Sequence, residues 1–295
     1  MLRLRTIAAA AALASAPVLQ AQAPAGDSLV VTTGWLAAQL ADPALVIIEV
    51  VTEPGKRSAH IPGSRELFYR HMTISRDGLS TELPSPDSLK ALFEGLGVST
   101  GSRVVVYARE APMATRLLMT LDWLGHRRLS YLDGGLQQWA AEGRATSTVE
   151  PVIARGSMTI APRTDMIATA EWLAPRIGMP GVSLIDTRTD GEYNGTGNRS
   201  GMPSAGHLGG ARQLEWESLF EEGNGLLLKD RATLQRMYAE RVRAGDTVVT
   251  YCWVGYRASA TYFAARLLGL NAKFYDGSYQ DWQRRKLPTT MGEAP

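Results

Sequence analysis

Thr247-Val248-Val249-Thr250-Tyr251-Cys252-Trp253-Val254-Gly255-Tyr256-Arg257-Ala258-Ser259 runs from a β-branched segment through a short glycine-containing loop into residues that can open a helix. The first five residues read as a buried strand. Cys252 follows directly, and it is the only cysteine in 295 residues. A lone thiol cannot be half of an intramolecular disulfide, so it stands out as a reactive group. An earlier stretch answers this one: Arg103-Val104-Val105-Val106-Tyr107 matches it at an offset of 251 − 107 = 144, with Ala108 at the cysteine position.

Working outward, the match extends through both halves of the chain. Trp35-Leu36-Ala37 and the strand-like Val46-Ile47-Ile48-Glu49 correspond to Trp172-Leu173-Ala174 and Ser183-Leu184-Ile185-Asp186, both at an offset of 137. Ala59-His60-Ile61-Pro62-Gly63 answers Gly206-His207-Leu208-Gly209-Gly210 at 147, which implies a ten-residue insertion in the polar 192–204 region. Asp133-Gly134-Gly135 with Trp139 answers Asp276-Gly277-Ser278 with Trp282 at 143. A self-match of this length and order means duplicated domains and not a solenoid of short repeats. The boundaries fall at 28–145 and 163–290, with the small, polar 146–162 segment as linker. Short apolar strands alternate with helical patterns such as Leu89, Leu92, Phe93 and Leu96. The predicted class is therefore α/β, each copy a mainly parallel sheet flanked by helices on both faces. Ligands bind such sheets beyond the carboxyl ends of the strands, where Cys252 sits.

Residues 1–23 read as a secretory signal. Arg3 and Arg5 form its basic start, Ile7 to Leu13 its apolar core, and the small-residue pattern permits cleavage after Ala21 or Ala23. No later apolar run approaches the ~20 residues of a membrane span. Export makes the expected location periplasmic or secreted. Without Arg3 and Arg5, Lys plus Arg falls from 31 to 29 and equals the 29 acidic residues. With no basic tract, nucleic acid has no electrostatic footprint here. One cysteine and four histidines without ligand spacing give no metal signature.

The loop order has chemical consequences. A tight turn at Gly255 can point backbone N–H groups at the sulfur, and the helix beginning near Ala258 aims its N-terminus the same way. Such a setting stabilises a thiolate nucleophile, and Arg257 adds a charge that suits an oxyanionic substrate. An inert cysteine closing a strand is the plainer alternative, and the flanking glycine, arginine and helix start outweigh it. Cysteine phosphatases space Cys and Arg by five residues to wrap a phosphate. Only four separate Cys252 from Arg257, a smaller cradle suited to one extra sulfur atom.

The ordered landmarks resemble the tandem-domain rhodaneses, the thiosulfate sulfurtransferase family. The resemblance implies a silent first copy, marked by Ala108, and a catalytic second copy. It also implies a cofactor-free, ping-pong transfer through a Cys252 persulfide held by the amides of Trp253, Val254, Gly255, Tyr256 and Arg257. The sulfur would pass from thiosulfate or a similar anionic donor to cyanide or a thiol. Mercaptopyruvate or polysulfide as donor, or a non-turnover sulfur-delivery module, are the alternatives within this resemblance. The loop matches neither the Cys-Gly-Ser-Gly-Val pattern associated with mercaptopyruvate nor the cationic pattern associated with thiosulfate. Glu192 stands where many members carry a substrate-binding arginine, and Arg199 is a candidate replacement. Asp186 and Arg188 are expected to brace the loop as an ion pair. His207, matched by His60 in the silent copy, is expected to be structural. Trp253 has two open roles, an acceptor contact or a cover for the loop.

Overall fold

The structure is a computed structural model that describes residues 28–57, 59–197 and 206–295. The expected leader and Arg199 lie outside these residues. Among the described residues no helix is long and apolar enough to cross a membrane.

Two five-stranded sheets share one spatial order. In the first the neighbours run Val30–Val31, Leu129–Leu132, Arg103–Ala108, Leu45–Val51, Arg65–Phe68. In the second they run Ile167–Ala168, Ala272–Tyr275, Thr247–Tyr251, Val182–Asp186, Ala211–Gln213. Every pairing in both is parallel. Register preserves the duplicated landmarks: Tyr107 lies beside Glu49 in one sheet, and Tyr251 beside Asp186 in the other.

Both faces of each sheet are covered, which is why the strands read as nearly continuous apolar runs. Alternation still sorts the side chains. Val105 and Tyr107 join an outer core with Leu36 and Trp139, and Val249 and Tyr251 do the same with Leu173 and Trp282. Val104, Val106 and Ala108 face the opposite way, as do Val248 and Cys252, into one core that runs through both domains. Strand parity alone therefore turns Cys252 toward the first domain.

Helices Ala111–Trp123 and Ala258–Leu267 pack against each other at the centre of that core. Thr115 Oγ1 lies 2.9 Å from Ser259 Oγ. Their offset, 259 − 115 = 144, equals that of Ala108 and Cys252, so equivalent residues meet on a pseudo-twofold axis. Each domain also extends a small antiparallel hairpin to the other. The first pairs Ile74–Arg76 with Leu79–Glu82, the second Phe220–Glu221 with Asn224–Leu228. Just past or within them, Leu83 N donates to Asp276 Oδ2 at 3.0 Å and Leu228 N to Asp133 Oδ1 at 2.9 Å. The aspartates of the repeated Asp-Gly landmarks are thus brackets between domains.

The 146–162 segment is no slack spacer. Gly156 N donates to Glu94 O (2.8 Å), and Ala161 N to Leu124 O (2.9 Å), while Thr100 N reaches Ser157 O (3.0 Å). Met158 is buried, and a Cβ at Gly156 would come within 2.1 Å of Val98 O. Small residues appear here because the chain is laid flat against the first domain.

Candidate active site

Cys252 ends the central strand of the second sheet and is fully buried. Residues 253–257 form the loop, and the helix starts at Ala258. Gly255 has φ +78, the left-handed region that favours glycine. A Cβ there would lie 2.8 Å from Asp276 O and 3.0 Å from Arg116 Nη1.

The carbonyls of this loop are fastened one by one. Cys252 O accepts from Tyr279 N (3.0 Å) and Trp253 O from Gln280 N (2.9 Å). Val254 O accepts from Thr81 Oγ1, and Tyr256 O from Ser259 Oγ (2.7 Å). In a planar trans peptide the next N–H points opposite to the carbonyl. The N–H groups of Trp253, Val254, Gly255 and Arg257 therefore face away from those anchors, and they meet no acceptor among the described residues. The Cys252 N–H itself donates to Ser278 Oγ (3.2 Å), a side chain that donates in turn to Tyr275 O (2.8 Å).

Arg257 is placed differently from the expectation of a free anion-binding charge. Its Nη1 and Nη2 form a fork on Glu192 at 2.7 and 2.8 Å, with both side chains largely buried. Burial opposes ionisation of Glu192, but the bonds and charge of Arg257, with those of Thr189, outweigh it and hold the carboxyl down at about 2. The charge of Glu192 thus goes to the arginine of the loop. A cleft of about 470 Å³ beside this pair also carries Glu110, Glu215 and Glu217, so its lining is acidic. A second cleft, about 650 Å³, borders the loop through Tyr69 and Thr81 and holds Arg70 with no carboxylate.

The remaining expected residues sit behind the loop. Asp186 and Arg188 are wholly buried and joined at 2.6 Å, with Tyr251 Oη on Asp186 Oδ2 at 2.7 Å. The Arg188 guanidinium lies 4.0 Å from the centre of the Tyr279 ring, whose residue anchors Cys252 O. His207 stacks on Tyr193 at 3.8 Å, and its ring nitrogens meet Tyr193 O and Ala294 O. Trp253 is buried against Tyr279.

Several residues at the site escaped the sequence reading because they come from the first domain. Burial pushes the Tyr69 phenol up to about 12, and its ring packs on Tyr256, 5.3 Å between centres. Tyr256 Oη donates to Glu110 Oε2 at 2.8 Å. Arg116, fully buried, lies 2.7 Å from Asp276 Oδ1 and donates to Thr81 O at 2.8 Å. The sequence signal for Arg116 is a charge in the middle of a largely apolar helix pattern.

A rhodanese-like domain model matches residues 32–142 and again 169–285. The chain belongs to the rhodanese family. It is similar to the thiosulfate sulfurtransferase of Pseudomonas aeruginosa, 30% identical over 257 residues that cover 86% of this chain and 93% of that protein. It is also similar to a Pseudomonas aeruginosa protein named "Probable 3-mercaptopyruvate sulfurtransferase", 31% identical over 269 residues, 85% of this chain and 93% of that one. Among solved structures, SseA from Escherichia coli, described as having the rhodanese fold, superposes with a TM-score of 0.74 at 23% identity, covering 85% of this chain and 99% of that one. The duplicated α/β rhodanese architecture expected from the sequence is what the fold and these likenesses give.

Proposed function

We propose that this rhodanese is a sulfurtransferase that carries a sulfane sulfur on Cys252, with thiosulfate as donor and cyanide or a thiol as acceptor. The observation that carries the reading is one thiol at a strand end, followed by a loop whose carbonyls are tied outward and whose N–H groups are left unspent. Such groups stabilise a sulfur anion without reorganising during reaction. The Cys252 thiolate attacks the outer sulfur of thiosulfate; the new S–S bond forms as the old one breaks, and sulfite leaves with the electron pair. Cyanide or a thiolate then attacks the terminal sulfur of the persulfide, and Cys252 departs as thiolate. No proton transfer to a protein base is needed. The basic start and apolar core of the leader support action outside the cytoplasm.

Incubation with thiosulfate should add one sulfur to Cys252 by mass spectrometry, with one equivalent of sulfite released. An unmodified thiol would sink the proposal. The Glu192–Arg257 fork favours a second reading, in which a less charged donor such as mercaptopyruvate is preferred. Comparing kcat/KM for the two donors decides between them.

A further inference from the structure

We infer that Thr81, on the hairpin of the silent domain, is a positioning residue that sets the direction of the Gly255 N–H in the persulfide cradle. The inference takes its purpose from the sulfurtransferase reading. Of the loop carbonyls anchored to protein, those of Cys252, Trp253 and Tyr256 are held by the domain that carries the cysteine. Val254 O is held by the other domain, through Thr81 Oγ1. The Val254–Gly255 peptide lies at the left-handed turn of the loop, where φ is +78. Turned over, it would present a carbonyl oxygen where an amide hydrogen stood, and an anion there would meet repulsion.

Thr81 itself is built for the task against its own preference. It has φ +59, a conformation that a β-branched residue rarely adopts. Such a backbone persists only where its surroundings over-determine it. Here they do: Thr81 O accepts from Arg116 Nη2 (2.8 Å), Ser80 N donates to Gln280 Oε1 (2.8 Å), and Leu83 N is bound to Asp276.

The pseudo-twofold partner supplies the control. Leu83 and Leu228 are equivalent at 145, as are the helix-capping residues Ser85 and Asp230, so Thr81 corresponds to Leu226. Leu226 has no hydroxyl; its carbonyl accepts from Gly134 N (3.0 Å) and Tyr131 Oη (2.7 Å), and its N–H donates to Asn224 Oδ1 (3.0 Å). The hydroxyl is present on the hairpin that faces the cysteine loop and lacking on the one that faces Ala108.

The test is the Cys252 thiolate titration, read by its ultraviolet absorbance against Cys252→Ser. The single cysteine makes the difference signal unambiguous. Arg257 and the phenols of Tyr69 and Tyr256 also face the sulfur, and all stay unchanged in the variants. Thr81→Val keeps the shape and the β-branch but loses the donor; it should raise the thiolate pKa by about one unit and slow persulfide formation about tenfold. Thr81→Ser should match the wild type in both. A thiolate pKa unmoved in Thr81→Val, or moved equally in Thr81→Ser, overturns the inference whatever happens to stability. If the wild type takes no sulfur from thiosulfate, the functional reading fails, and the titration still decides this one.

Discussion

Two equivalent strands end in two different ways. After Ala108, residues 109–110 suffice before the helix begins at Ala111; after Tyr251, the helix waits until Ala258. No residue has been inserted, because the offset is 144 both at Tyr107 and Tyr251 and at Thr115 and Ser259. The same length of chain is wound into helix in one copy and opened as a cradle in the other. Ala111-Pro112-Met113 is compatible with a first helical turn, where proline is tolerated. Gly255-Tyr256-Arg257 is not wound there, since Gly255 takes the left-handed turn and Ser259 ties Tyr256 O. The two strand ends therefore differ in loop conformation as well as in the thiol. The first domain contributes to this loop: its Glu110, Tyr69, Thr81 and Arg116 all contact the Cys252 loop or its supports.

The largest test of that comparison moves the nucleophile. In the double variant Ala108→Cys, Cys252→Ser, a thiol stands at the equivalent strand end but in front of helix. Sulfur transfer should fall by roughly 10³-fold or more relative to wild type. Substantial persulfide on residue 108 by mass spectrometry would mean that the loop is dispensable.

Gly255→Ala attacks the cradle while leaving the thiol. The added Cβ would sit 2.8 Å from Asp276 O at a backbone angle that disfavours any side chain. The expected cost is about 1–3 kcal/mol in stability and about 100-fold in kcat/KM. Gly63→Ala, in the first domain with a similar φ of +76 and open space around its Cβ, should cost stability alone. Equal catalytic losses in the two would remove the distinction between the copies.

Much of this was legible in the sequence, and the boundary is physical. Strand and helix alternation, the duplication and the thiol at a strand end depend on neighbours in the chain or on a constant offset, so they could be read directly. The Asp186–Arg188 pair, two residues apart, was equally accessible. The roles of Thr81 and Arg116 were not, because their partners lie 173 and 160 residues away, at Val254 and Asp276, and nothing local points to those partners. The partner of Arg257 is hidden for the same reason, since Glu192 lies 65 residues earlier in the chain. Equal spacing also concealed the winding of Ala111–Met113, since counting residues does not report their conformation.

The Glu192–Arg257 fork gives the next prediction. Glu192→Gln should free the charge of Arg257 and lower KM for thiosulfate about threefold at low salt, an effect that fades as ionic strength rises. Arg70→Gln, in the cleft without carboxylates, should raise that KM by a similar factor. The two changes test by which cleft the anion arrives. The carboxyl of Glu192 is held at about 2 in the fold against an ordinary value of 4.5. Its stabilising contribution is thus present above pH 4.5 and lost as pH falls through about 2. Acid unfolding of Glu192→Gln should show a flatter profile across that window.

The smallest effect concerns the hairpins. Glu82 corresponds to Leu227 at the offset of 145, so one hairpin brings a carboxyl to the interface where the other brings an apolar side chain. Burial, and then the negative charge of Asp276, push Glu82 up to about 7 from an ordinary 4.5. An acid raised in the folded state favours folding while it is protonated, so the advantage is complete below about pH 4.5 and is lost as pH rises through about 7. Glu82→Gln removes the ionisation and keeps the shape. Its melting temperature should exceed that of the wild type by about 2–4 °C at pH 8, and the two should converge near pH 4. The gain at pH 8 should not appear in Leu227→Gln, which adds an amide to the hairpin that carries no such charge. If both variants respond alike to pH, the difference between the hairpins does not lie in Glu82.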